Sequence, residues 1–123
     1  MGGKIMNILF NLRYNYLFAK VKGDLDMHTV PKFKEKIISA LKEKNSNNLV
    51  LNLKGVDFID STGLGAILGR YRNLADQEGK LILAGLKPQV KRILELSGVL
   101  ELVPVYKSEK EIIDNLKEGN NIA

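Results

Sequence analysis

A chain of 123 residues with 45% hydrophobic and 27% charged side chains has the composition of one folded domain around a single core. It has no cysteine and one histidine, His28, which excludes a disulfide framework, cysteine-ligated metal and the usual histidine-rich zinc sites. The net charge of +5 raises nucleic-acid binding, but Lys32, Lys34, Lys36, Lys42 and Lys44 share a helix with Glu35 and Glu43. The other cations are scattered, and no aromatic residues interleave with basic ones to stack bases, so no direct nucleic-acid partner is expected.

No apolar run approaches the roughly 18 residues needed to cross a bilayer, and the stretch from Met1 to Met6 does not read as a signal peptide. The expected location is the cytoplasm, with no membrane partner.

Ile8, Phe10 and Leu12 alternate with Asn7 and Asn11, the period-two pattern of a half-buried strand. Arg13-Tyr14-Asn15 reads as a turn, and Tyr16 to Val21 as a second strand that closes an antiparallel hairpin. Gly23-Asp24-Leu25-Asp26 is a loop, with Asp26 or Thr29 available as a cap and Pro31 suited to a first helical turn. Val30, Phe33, Ile37, Ile38 and Leu41 then recur at helical spacing. Asn45 to Asn48 stop that helix, and Leu49 to Leu53 form an apolar run suited to a strand covered on both faces.

A second helix starts at Ser61, with Leu64, Ile67, Leu68, Tyr71, Leu74 and Ala75 on one side, and ends at Glu78-Gly79. Leu81 to Ala84 form the next interior strand. Pro88 opens a third helix with Val90, Ile93 and Leu94 inward, closed by Ser97-Gly98. Leu102 to Val105 read as a last strand at a sheet edge, because Pro104 cannot donate to a ladder. Ser108 caps a final helix, with Glu111 at the capping-box position and Ile112, Ile113 and Leu116 buried. The expected fold is α/β, a single domain over residues 6–118 with flexible termini at 1–5 and 119–123. Its mixed sheet has about five strands, an antiparallel hairpin and then mainly parallel pairing, with about four helices.

The chemistry concentrates at Asp60-Ser61-Thr62-Gly63-Leu64-Gly65, where a buried strand hands over to a helix. Unpaired N–H groups and the positive end of the helix dipole gather there, so an anionic group is well tolerated. Ser61 is either the helix cap or a group that another protein modifies. A catalytic serine would need a base, and only His28 offers an imidazole; the Gly-x-Ser-x-Gly elbow is absent. Gly63, Gly65 and Gly69 lack the Gly-Lys-Ser/Thr of a phosphate loop. Small residues at 63 and 65 do allow a partner or neighbouring loop to approach the backbone. Asp24, Asp26, Asp57 and Asp60 fall in two loops that a parallel sheet brings to one end, where they either bind a cation or shape turns. Phosphorylating Ser61 would turn the neutral patch around Gly63 and Leu64 strongly negative beside Asp60 and the Gly23–Asp26 loop, enough for a binding switch.

The run from Phe58 to Tyr71, read Phe-Ile-Asp-Ser-Thr-Gly-Leu-Gly-Ala-Ile-Leu-Gly-Arg-Tyr, closely resembles the signature of bacterial anti-sigma factor antagonists of the STAS domain family. Gly23-Asp24-Leu25-Asp26 is similar to that family's second marker loop, and Lys91 to Gly98 to its penultimate helix. The continuation Ile67-Leu68-Gly69-Arg70-Tyr71 looks most like the sporulation branch, which antagonises the anti-sigma F factor. Threonine at position 62, where some sporulation members carry serine, also suits the general stress-response branch.

The resemblance implies partner switching by a protein with no catalysis and no cofactor of its own. The unphosphorylated form binds an anti-sigma factor that is also a serine kinase, which releases a sigma factor. Phosphorylation at Ser61 ends the binding, and a serine phosphatase restores it. Thr62 is then a kinase-contact or helix-start residue, while Gly23, Asp24, Asp26, Asp60, Thr62, Gly63 and Leu64 are expected to meet the partner. A STAS scaffold or transport-complex subunit is the main alternative, although members that leave phosphorelay work often lose the serine. A small nucleotide-hydrolysing enzyme is a more distant one.

Overall fold

The computed structural model describes residues 6–119, so the termini expected to be flexible lie, apart from Gly119, outside the described residues. Five strands form one sheet in chain order: β1 (Asn7–Arg13), β2 (Tyr16–Lys22), β3 (Asn48–Gly55), β4 (Lys80–Ala84) and β5 (Val105–Tyr106). The first pair is antiparallel and the other three are parallel. The helices are α1 (Val30–Glu43), α2 (Ser61–Asp76), α3 (Pro88–Leu96), α4 (Val99–Leu102) and α5 (Glu109–Lys117).

The hairpin turns on two residues, because Tyr14 (φ 52°) and Asn15 (φ 67°) both take left-handed backbone whose twist matches the strands. Arg13 therefore still pairs, opposite Tyr16, and its guanidinium lies over the Tyr14 ring, 5.7 Å from the centroid. Alternation along the strands then sorts side chains to two faces. Leu17, Ala19, Val21, Leu49, Leu51, Leu53, Leu81 and Leu83 meet α1 to α4 in the main core, where Phe33, Ile37, Ile67 and Leu94 are fully buried. Tyr16, Phe18, Val50, Ile82 and Ala84 face the other way and are covered by Ile112 of α5. Two-sided cover explains why Leu49, Val50 and Leu51 of β3 are apolar in succession and fully buried.

One expectation about the C-terminal third needs correction. The last strand is Val105–Tyr106 rather than Leu102 to Val105, and the short helix α4 precedes it. Gly98 (φ 84°) turns the chain out of α3, and Val99 to Leu102 close a short helical turn in which Val103 N–H donates to Val99 O (3.0 Å). The apolar residues there resemble a strand, but buried Val99 and Val103 plug the core from a helical turn. Pro104 stands just before the edge strand, its carbonyl accepting from Leu83 N–H (2.9 Å). Leu12, Ile38 and Ala75, read as core positions, are exposed. Leu12 lies at the hairpin tip, and Ile38 and Ala75 sit on the outer sides of their helices.

Candidate functional site

Two loops at the carboxyl end of β2 and β3 are laced together into one platform. Gly23 N–H donates to Gly55 O (3.1 Å), Leu25 N–H to Phe58 O (3.0 Å) and Asp60 N–H to Leu25 O (3.1 Å), with Leu25 and Ile59 forming a parallel bridge. Leu25 and Ile59 are both buried, so each loop is pinned by an apolar side chain as well as by backbone bonds. The expected approach of a neighbour at Gly63 is made by this chain itself: a Cβ there would meet Leu25 O at 2.4 Å. Nothing lies within 4 Å of a Cβ at Gly65, which leaves that position open to the outside.

The structure decides the cap. Asp60 has extended backbone (φ −98°, ψ −175°) and its Oδ1 accepts from Gly63 N–H (3.0 Å), so Asp60 is the N-cap of α2. Its Oδ2 accepts from Met27 N–H (3.1 Å), tying the first loop to the helix start. Ser61 is therefore the first helical residue. It is exposed, and among the described residues none is hydrogen-bonded to its hydroxyl. Exposed Thr62 follows, then half-buried Leu64. A phosphate on Ser61 would lie beside the first-turn N–H groups that the cap does not use.

Thr29 occupies the N-cap of α1 without a side-chain cap bond, and the turn that leads into the helix is closed by Asp26. Its Oδ1 accepts from His28 N–H (2.9 Å) and Thr29 N–H (3.0 Å). Partial desolvation raises the Asp26 carboxyl, but those two bonds, helped by nearby His28, hold it below the ordinary carboxylate value. The Thr29 hydroxyl instead donates to Asp24 O (2.6 Å) and accepts from Asp26 N–H (3.0 Å). Asp24 is 6% exposed and Gly63 is also buried, so these two shape the surface from beneath. Asp57 pairs with Lys87. With Asp26 and Asp60 each committed to backbone amides and Asp57 to a lysine, the aspartates work as turn and cap residues. Among the described residues no group of three or more His, Asp or Glu side chains is arranged to hold a metal ion.

Sequence reasoning missed two residues of this surface. Met27 is 64% exposed and Phe58 48%, and both belong to the loops that flank Asp60. An isolated large apolar residue inside an aspartate-rich loop is the signal that could have marked each. With half-buried Leu64 they add exposed apolar surface to the loops and helix turn that carry Asp60 and Ser61, surface of the kind found at the centre of protein interfaces.

No helix among the described residues is long and apolar enough to cross a membrane. The STAS domain model matches residues 8–112, from β1 into α5. An anti-sigma F factor antagonist of Paenibacillus polymyxa is 31% identical over 114 residues, spanning 91% of this chain and 97% of the relative. An anti-sigma-B factor antagonist of Staphylococcus aureus is 29% identical over 100 residues, spanning 81% of this chain and 92% of the relative. Among solved structures, the Bacillus cell fate determinant SpoIIAA in its phosphorylated form matches with a TM-score of 0.69 at 26% identity, over 89% of this chain and 99% of that one. A laced pair of loops, an aspartate-capped helix and a family match that runs from the hairpin to the last helix lead to one conclusion: the chain belongs to the STAS domain family.

Proposed function

We propose that this protein is an anti-sigma factor antagonist that works by partner switching, with Ser61 as the switch. The observation that carries the proposal is the division of labour at the start of α2: Asp60 makes the cap, and the adjacent serine hydroxyl stands exposed with no structural duty. In the unphosphorylated state the surface around Ser61, with Met27, Phe58, Thr62 and Leu64, docks on an anti-sigma factor that is also a serine kinase. Asp24, Asp26, Gly23, Gly63 and Asp60 fix the shape of that surface. The kinase moves the γ-phosphoryl group of ATP to Ser61 Oγ, the hydroxyl proton leaves, and ADP is released.

The product carries about −1.5 to −2 additional charges on a surface that also presents exposed Met27 and Phe58. A partner fitted to the neutral patch then loses affinity through desolvation and repulsion, while the helix start accommodates the phosphate without unfolding. A serine phosphatase reverses the state, and the protein itself catalyses neither step. The names of the Paenibacillus and Staphylococcus relatives support the antagonist role, and the run Ile67 to Tyr71 favours the sporulation pathway within it.

The test is intact-mass spectrometry after incubation with an anti-sigma F kinase and ATP, with an anti-sigma B kinase as a parallel arm. One phosphate on the wild type and none on Ser61→Ala is the expected result. Phosphate on Ser61→Ala, or none on folded wild type with either active kinase, would overturn it.

A further inference from the structure

Far along α2 from Ser61, the fold buries a cation. Arg70 lies nine residues further on, about 13 Å along the helix axis, and is only 8% exposed. Its Nε is fully buried and finds no acceptor among the described residues. None of the ion pairs among the described residues involves it either. Removal from water weakens the hold of the guanidinium on its proton, yet an arginine remains charged in a protein. A buried charge is ordinarily matched by a counter-charge or by several hydrogen bonds.

The side chain lines a crevice of about 350 Å³ between the end of α1 and the second half of α2. That volume lies within the range of small-ligand sites, about 300–1,000 Å³. Lys42 is the other charged residue around it, together with Asn45, Asn47, Asn73 and Gln77, and no aspartate or glutamate lines it. The walls therefore offer two cations and several amide donors with nothing negative to neutralise them.

We propose that this crevice binds a small oxyanion, a phosphate or carboxylate group, gripped by the Arg70 guanidinium with Lys42 and the amide side chains in support. The planar fork of an arginine suits two oxygens of one such group. Burial of Arg70 selects a small ligand, since a folded partner's surface cannot reach it. The site lies away from Ser61 and does not depend on how that serine is used.

Nitrogen–proton correlation spectra of the full chain, resolving the Arg70 Nε–H, test this directly. Potassium phosphate and potassium citrate are titrated separately, each against potassium chloride at matched ionic strength. A saturable shift of the Arg70 Nε–H and of the Asn73 and Gln77 side-chain amides is expected with at least one of them and not with chloride. Saturation by phosphate alone assigns a phosphate ligand, and by citrate alone a carboxylate. Arg70→Met, shown to be folded by circular dichroism, should lose the response, and Arg70→Lys should weaken it roughly 10-fold because the fork is gone. A linear response, or one confined to exposed lysines such as Lys20 and Lys22, means an adventitious ion only and overturns the proposal. Should Arg70→Met fail to fold, the wild-type titration still decides, because it reads the guanidinium itself.

Discussion

The Cβ that Gly63 lacks would stand 2.4 Å from the carbonyl oxygen of Leu25, the same oxygen that accepts the Asp60 N–H at 3.1 Å. Loop, cap and helix are fastened at that one point, so backbone would have to move against backbone to admit a methyl group. Gly63→Ala should therefore destabilise the fold by about 1–3 kcal/mol, in the range of overpacked cores. A lower urea midpoint, with amide shifts concentrated in residues 23–27, is the expected reading, and an unchanged midpoint would contradict it.

Gly65 provides the contrast on the same helix turn. With nothing within 4 Å of its missing Cβ, alanine there should raise stability by about 0.5–1 kcal/mol through helix propensity alone. If a partner approaches the helix at this point, kinase binding measured by calorimetry should nevertheless weaken. Unchanged binding would show that the open space at Gly65 is not used.

Asp60 holds two ends with one carboxylate, the Gly63 N–H and the Met27 N–H. Asp60→Ala should cost about 0.5–2 kcal/mol, the usual loss for a helix cap, and should speed hydrogen exchange at both amides. Asp60→Asn keeps an oxygen for the cap and should cost less. Equal losses in the two variants would mean that the negative charge, rather than the hydrogen bond, matters at this helix end.

The parts of the fold legible in the sequence are those written as periodic apolar patterns. Leu49 to Leu53 and Leu81 to Ala84 read directly as interior strands, and the β1–β2 pairing follows from alternation around Tyr14-Asn15. The turn Val99 to Leu102 was illegible because four residues are too few to separate helix from strand, and the deciding signal was the left-handed backbone of Gly98. On α2 the buried line runs through Gly63, Ala66, Ile67, Arg70 and Leu74. A glycine and an arginine give no hydrophobic signal, so the pattern drifted toward Ala75, which is exposed. At the site, Ser61 could be found from sequence, but its freedom from capping could not. Aspartate and serine are comparably good caps, and only the extended backbone of Asp60 assigns the role.

That assignment makes Ser61→Ala a test of whether the hydroxyl has any structural duty. If it has none, the substitution should leave the urea midpoint within about 0.5 kcal/mol of wild type, as for surface changes away from special features. A loss of about 1 kcal/mol or more would mean that the serine, and not Asp60, supports the helix start. Paired with the phosphorylation experiment, this separates loss of a modification site from loss of the local fold.

The Asp26 carboxyl is held below its ordinary value of 3.8 because His28 and Thr29 N–H groups favour the charged form more than desolvation disfavours it. A folded-state value below the unfolded one means that the ionised carboxylate contributes stability. The contribution is fully present above that ordinary value and disappears as pH falls through the folded one. The contribution of the Asp26 carboxylate should therefore persist down to roughly pH 5 and be lost progressively below that. Carbon-detected titration of the Asp26 carboxyl, followed together with exchange of the His28 and Thr29 amides, checks this. The carboxyl should titrate below an exposed reference aspartate, and Asp26→Asn should remove the acid-dependent part of the exchange. A carboxyl that titrates at or above the reference would show that the two N–H bonds do not hold Asp26 in its charged form.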